Sequence, residues 1–70
     1  MGMVFSMNDL SPGQAAVVRL VAQGLSNRDI SESLGIAEGT VKVHVRAIFK
    51  KMGVRNRTSA ALTYLRMAAE

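Results

Sequence analysis

Three glycines, Gly24, Gly35 and Gly53, stand as helix stops that divide this 70-residue chain into short segments. Ser11 is a good N-cap, Pro12 suits the first helical position, and Gln14 completes a capping-box spacing. Val17, Val18, Val21 and Leu25 then recur at helical spacing, and Gly24 offers the stop. Ser26 and Asp29 form a second cap-box-like pair, Ile30 and Leu34 sit one turn apart, and Gly35 ends that segment. The connection Gly35-Ile36-Ala37 leads to a third helix over about 38–52, closed by Gly53. A fourth runs from a cap at Asn56 to Met67 or beyond, with Ala60, Ala61, Leu62, Leu65 and Ala68 as its apolar positions. No alternating pattern or hairpin signal marks a strand. The expected fold class is therefore all-α, with four helices in one domain over 10–70. Residues 1–9, MGMVFSMND, have no periodicity and read as a disordered start or linker remnant.

Composition removes several kinds of function. The absence of cysteine excludes disulfides and zinc knuckles, and one histidine with five carboxylates leaves little for an acid–base or metal site. No cofactor is implied and no enzyme is expected, since no nucleophile–base–acid set or phosphate-cradling loop is present. The longest uninterrupted apolar run is Ala15-Ala16-Val17-Val18, so no membrane partner is expected. The aromatics Phe5, Phe49 and Tyr64 are too few and scattered for an RNA-stacking platform.

The net charge of +4 hides a segregation. Residues 1–39 carry Arg19 and Arg28 against Asp9, Asp29, Glu32 and Glu38. Residues 40–57 carry Lys42, Arg46, Lys50, Lys51, Arg55 and Arg57 with no acid at all. Solvated faces normally mix signs, so an unmixed segment points to a polyanionic partner.

The third helix separates two faces. At about 100° per residue, Val41, Val45, Ile48 and Met52 share an arc of roughly 60°, which is a core stripe. Lys42, Val43, Arg46 and Lys50 occupy another arc of about 100°. Arg and Lys can donate to guanine O6 and N7, and a small aliphatic can touch a thymine methyl in the major groove. A solvated basic helix with a stray valine fits that periodicity equally well. Two helices joined by a short turn, the second basic on its outer face, favour a helix-turn-helix. The helix start at Ser26-Asn27-Arg28 offers backbone N–H groups to a phosphate, although Ser26 also serves as a cap.

The chain resembles the LuxR-type (NarL/FixJ-like) helix-turn-helix family, whose members include response-regulator output domains. The matching strings are Leu10-Ser11-Pro12, Leu20 to Ile30 (LVAQGLSNRDI), Leu34-Gly35-Ile36, Thr40 to Val45 (TVKVHV) and Lys51 to Arg57 (KMGVRNR). Their order and spacing cover about residues 10–66. The resemblance implies a four-helix domain that binds double-stranded DNA and pairs as a homodimer through its fourth helix. It implies cytoplasmic transcription regulation, with RNA polymerase as a further candidate partner. By position, Lys42, Val43 and Arg46 correspond to base-facing residues. Ser26, Asn27, Arg28, Thr40 and Lys50 correspond to phosphate-facing ones. Thr58, Ala61, Leu62 and Leu65 are the candidate dimer seam, with intramolecular core as the alternative for Leu62. His44 borders the core stripe, which favours packing or hydrogen bonding over catalysis or metal binding.

The chain departs from the family pattern at Gly13-Gln14-Ala15-Ala16, where charged residues are usual, and at Ala37, where Ser or Thr usually caps the third helix. An Ala at such a cap costs about 1 kcal/mol. The competing function is a protein-interaction module docking its basic helix on an acidic partner. Seventy residues suffice for a reading head and hold no receiver or ligand-binding domain, so the input signal, the operator and the sign of regulation are not legible.

Overall fold

The computed structural model describes residues 5–69. After a short 3-10 turn at Met7–Asp9, four helices follow: α1 (Pro12–Ala22), α2 (Asn27–Leu34), α3 (Glu38–Met52) and α4 (Arg57–Ala68). The all-α expectation holds, with no strand among the described residues. Helix α1 packs against α3 and α4, and α2 packs against α3, so α1 and α3 form the centre of the domain.

The helix starts follow the cap chemistry. Ser11 Oγ accepts from the Gln14 N–H at 3.1 Å, and Gln14 Oε1 accepts from the Ser11 N–H at 3.0 Å, a complete capping box. Ser26 Oγ accepts from the Asp29 N–H, whereas no return bond from Asp29 closes that pair. Asn56 Oδ1 accepts from the Ser59 N–H at 2.8 Å. Ala37 has the extended backbone of a cap but makes no side-chain cap bond.

The helix ends repeat one device. Gly35 and Gly53 adopt left-handed backbone, with φ of 67° and 71°, a region that penalises a Cβ. The following N–H then reaches five residues back, from Ile36 to the Ser31 carbonyl and from Val54 to the Phe49 carbonyl. Leu25 N–H closes α1 in the same way on the Leu20 carbonyl. Each of these three residues is apolar and packs against the core, so each helix end is also a core anchor.

That core is Leu10, Val17, Val18, Leu20, Val21, Ile30, Val41, Ile48 and Ala60. Val17, Val18, Ile30 and Val41 are fully inaccessible to solvent. Val41 and Ile48 come from the α3 stripe, while Val45 and Met52 pack half-buried beside them. No buried polar side-chain atom lacks a partner among the described residues.

Where it is described, the start of the chain forms a local turn. Ser6 Oγ accepts from the Asn8 N–H, Asp9 Oδ2 accepts from the Ser6 N–H at 2.9 Å, and a capping box forms around the turn. Phe5 and Met7 pack on the core. Residues 5–9 thus lie against the domain, where these two apolar side chains find cover. Residues 1–4 of the expected disordered start lie outside the described residues.

Candidate nucleic-acid interface

Helices α2 and α3 are joined by Gly35, Ile36 and Ala37 alone. Burying Ile30 from α2 and Val41 and Ile48 from α3 fixes the opposite side of α3 outward. On that side stand Lys42, Val43, Arg46 and Lys50, all exposed. Val43 is 64% exposed, an apolar side chain set among three cations.

The six bases of residues 40–57 divide into two groups. Lys51 Nζ donates at 2.8 Å to the Asp9 carbonyl and at 2.8 Å to Gln14 Oε1, tying α3 to the 3-10 turn and to the start of α1. Arg57 Nη1 donates to Asn27 Oδ1 at 2.7 Å, and its Nη2 donates to the Leu25 carbonyl at 2.8 Å. These two cations serve the fold. Lys42, Arg46, Lys50 and Arg55 make no side-chain hydrogen bond or ion pair among the described residues. The basic surface presented outward by this segment thus rests on four side chains.

The start of α2 stands beside the α3 face. An open groove of about 350 Å³ is lined by Asn27 from α2 and by Lys42, Val45, Arg46 and Phe49 from α3. Its polar lining is donor-rich and contains no carboxylate, which suits an acceptor-only group such as a phosphate. Ser26 is exposed, with its Oγ engaged as a cap. Arg28 lies 3.6 Å from Glu32 in an exposed i,i+4 pair, a contact worth only about 0.3–0.5 kcal/mol and easily exchanged. Thr40 is exposed near the start of α3. Asn27 is half-buried, with its carbonyl oxygen accepting from Arg57.

The candidate seam on α4 divides as well. Leu62 and Leu65 are 55% and 50% exposed, so Leu62 is not a core residue of this chain. Thr58 is exposed, whereas Ala61 is half-buried and packs on the core. Thr58, Ala61 and Leu62 also line an open groove of about 310 Å³ against the end of α1. His44 is half-buried on the α1 side of α3, where a Cβ added at Gly13 would lie 3.2 Å from the ring. Among the described residues no group of acidic or histidine side chains could hold a metal ion, and no helix is long and apolar enough to cross a membrane.

The structural roles of Lys51 and Arg57 are what a reading of the charge pattern misses. Their partners lie 30 to 42 residues away, and no local spacing announces them. For Lys51 the helical wheel holds a hint, since it falls about 130° from the centre of the exposed face.

Comparison with known proteins places this architecture. Residues 8–64 match the family described as "Bacterial regulatory proteins, luxR family". The chain is 45% identical over 56 residues to the nitrate/nitrite response regulator protein NarL of Escherichia coli K12, covering 80% of this chain and 26% of that protein. It is 51% identical over 53 residues to the two-component response regulator PprB of Pseudomonas aeruginosa, covering 76% of this chain and 19% of PprB. Among solved structures, the response regulator ChrA of a heme-sensing two-component system superposes with a TM-score of 0.69 at 35% identity. That likeness covers 96% of this chain and 32% of ChrA. The chain thus spans a third or less of these relatives. A family match over most of its length, on four helices with the second and third joined by a three-residue turn, shows that the chain belongs to the LuxR family of bacterial regulatory proteins.

Proposed function

We propose that this chain binds double-stranded DNA with sequence preference as the output domain of a transcription regulator, placing α3 in the major groove. The observation that carries the proposal is the outward face of α3. There Lys42, Arg46 and Lys50, without side-chain partners among the described residues, surround a 64% exposed Val43. Arg46 and Lys42 supply donors for guanine O6 and N7, and Val43 supplies an apolar contact for a thymine methyl. Lys50 and Thr40, with Ser26, Asn27 and Arg28 at the start of α2, supply contacts to the phosphate backbone that fix register without reading sequence. Leu62 and Leu65 leave an apolar strip on α4 through which two copies pair, reading half-sites about one helical turn (~34 Å) apart. In this reading the protein acts in the cytoplasm, where RNA polymerase is its candidate partner on the promoter.

Selection of bound duplexes from a random pool, repeated at two salt concentrations, tests the proposal. The expected result is an enriched, symmetric motif. Arg46→Ala relaxes one position of it and costs about 1–3 kcal/mol on the selected duplex. An unenriched pool, with capture of an acidic protein ligand instead, would replace this reading with that of a protein-docking module.

A further inference from the structure

Arg57 is the first residue of α4, and its guanidinium is half-buried. It spans 30 residues of sequence to hold Asn27 Oδ1 at 2.7 Å and 32 residues to hold the Leu25 carbonyl at 2.8 Å. A guanidinium has donors only, so the atom of the Asn27 carboxamide facing it must be the oxygen. The other end of that carboxamide is then fixed as an NH₂ group with no side-chain partner among the described residues. Asn27 also lines the groove that contains Lys42 and Arg46. An amide whose oxygen is bonded to a cation is a stronger donor at its nitrogen, because successive hydrogen bonds polarise one another.

We propose that Arg57 is a positioning residue for DNA binding: by holding the Asn27 oxygen, it aims the Asn27 amide hydrogens at a backbone phosphate lodged between α2 and α3. Arg57 itself touches no DNA. The inference rests on the DNA-binding reading above. It adds a link from α4 to the DNA-facing groove that neither the charge pattern nor the helix-turn-helix geometry requires.

The test is a double-mutant cycle on the full 70-residue chain, using a fluorescein-labelled duplex of random sequence. Anisotropy is read at several salt concentrations, below the melting temperature of every variant as checked by circular dichroism. Arg57→Gln is expected to weaken binding about tenfold, the value of one hydrogen bond to a charged group. Asn27→Ala is expected to do the same, and Arg57→Gln added to Asn27→Ala to cause no further loss. Asn27→Asp keeps an acceptor for Arg57, so it is expected to hold or raise the melting temperature while still weakening binding. A merely structural role for Arg57 would leave affinity intact wherever the variants are folded. Direct phosphate contact by Arg57 would give its full loss in the Asn27→Ala background, and either result overturns the inference alone. A wild-type chain that binds no duplex even at low salt overturns the DNA reading and this inference with it.

Discussion

Lys50 and Lys51 are adjacent in sequence and identical in chemistry, yet the structure assigns them opposite consequences. One residue of helix turns the side chain by about 100°, so Lys50 stays with the exposed cationic face while Lys51 swings towards α1. There Lys51 makes two 2.8 Å bonds, to the Asp9 carbonyl and to Gln14 Oε1. Charged hydrogen bonds are worth about 1.5–3 kcal/mol when shielded, but Lys51 is exposed and water competes for both partners. About 1 kcal/mol for the pair is the reasonable sum, which in a domain of this size lowers Tm by about 4–8 °C. Lys51→Gln should therefore melt earlier and bind a duplex with unchanged salt dependence. Lys50→Gln breaks no side-chain bond among the described residues, so its stability should stay within about 0.5 kcal/mol of the parent. It should instead lose one phosphate contact, flattening the plot of log K against log salt by about 0.9. Between about 50 mM and about 200 mM salt, that slope change amounts to roughly a 3.5-fold difference in how far affinity falls. Thermal denaturation by circular dichroism and fluorescence anisotropy over a salt series measure the two quantities independently. If both variants changed the salt slope equally with no difference in Tm, the division of the basic segment into tying and presented cations would be refuted.

Two further predictions concern the rest of the domain. Ala37 already has cap geometry without a cap bond, so Ala37→Ser should add about 1 kcal/mol and raise Tm by about 4–8 °C; a melt unchanged by the substitution would contradict the cap argument. Leu62→Glu and Leu65→Glu remove side chains that are half exposed, so each should cost under about 1.5 kcal/mol of stability while abolishing any self-association seen by sedimentation equilibrium. Dimers that persist in both variants would move the seam elsewhere.

The helix boundaries were legible because they are set locally. Ser11, Ser26, Asn56, Gly35 and Gly53 satisfy or terminate backbone groups within a few residues of themselves, and the chain breaks where they stand. The core stripe of α3 was legible for the same reason, since Val41, Val45, Ile48 and Met52 share a face by geometry alone. The ordered start was partly legible: Ser6 and Asp9 have capping-box spacing, but a three-residue turn leaves no periodicity to notice. The outward placement of Lys42, Arg46 and Lys50 was legible from the same wheel, but the engagement of Lys51 and Arg57 within the fold was not. Lys51 and Arg57 are withdrawn by partners at long sequence separation, and only the packing of α1 on α3 and α4 brings those groups within reach. Two of the six cations of residues 40–57 thus hold the scaffold on which the remaining four are presented.

The account stands on the outward face of α3 entering a major groove, and Val43 reports on that placement directly. Intermolecular nuclear Overhauser effects from its methyl groups in a complex with a selected duplex identify the surface it touches. The account predicts cross-peaks to thymine methyl or cytosine H5 protons, which line the major groove. Cross-peaks only to sugar protons of the minor groove, or none at all from Val43 in a saturated complex, would contradict it.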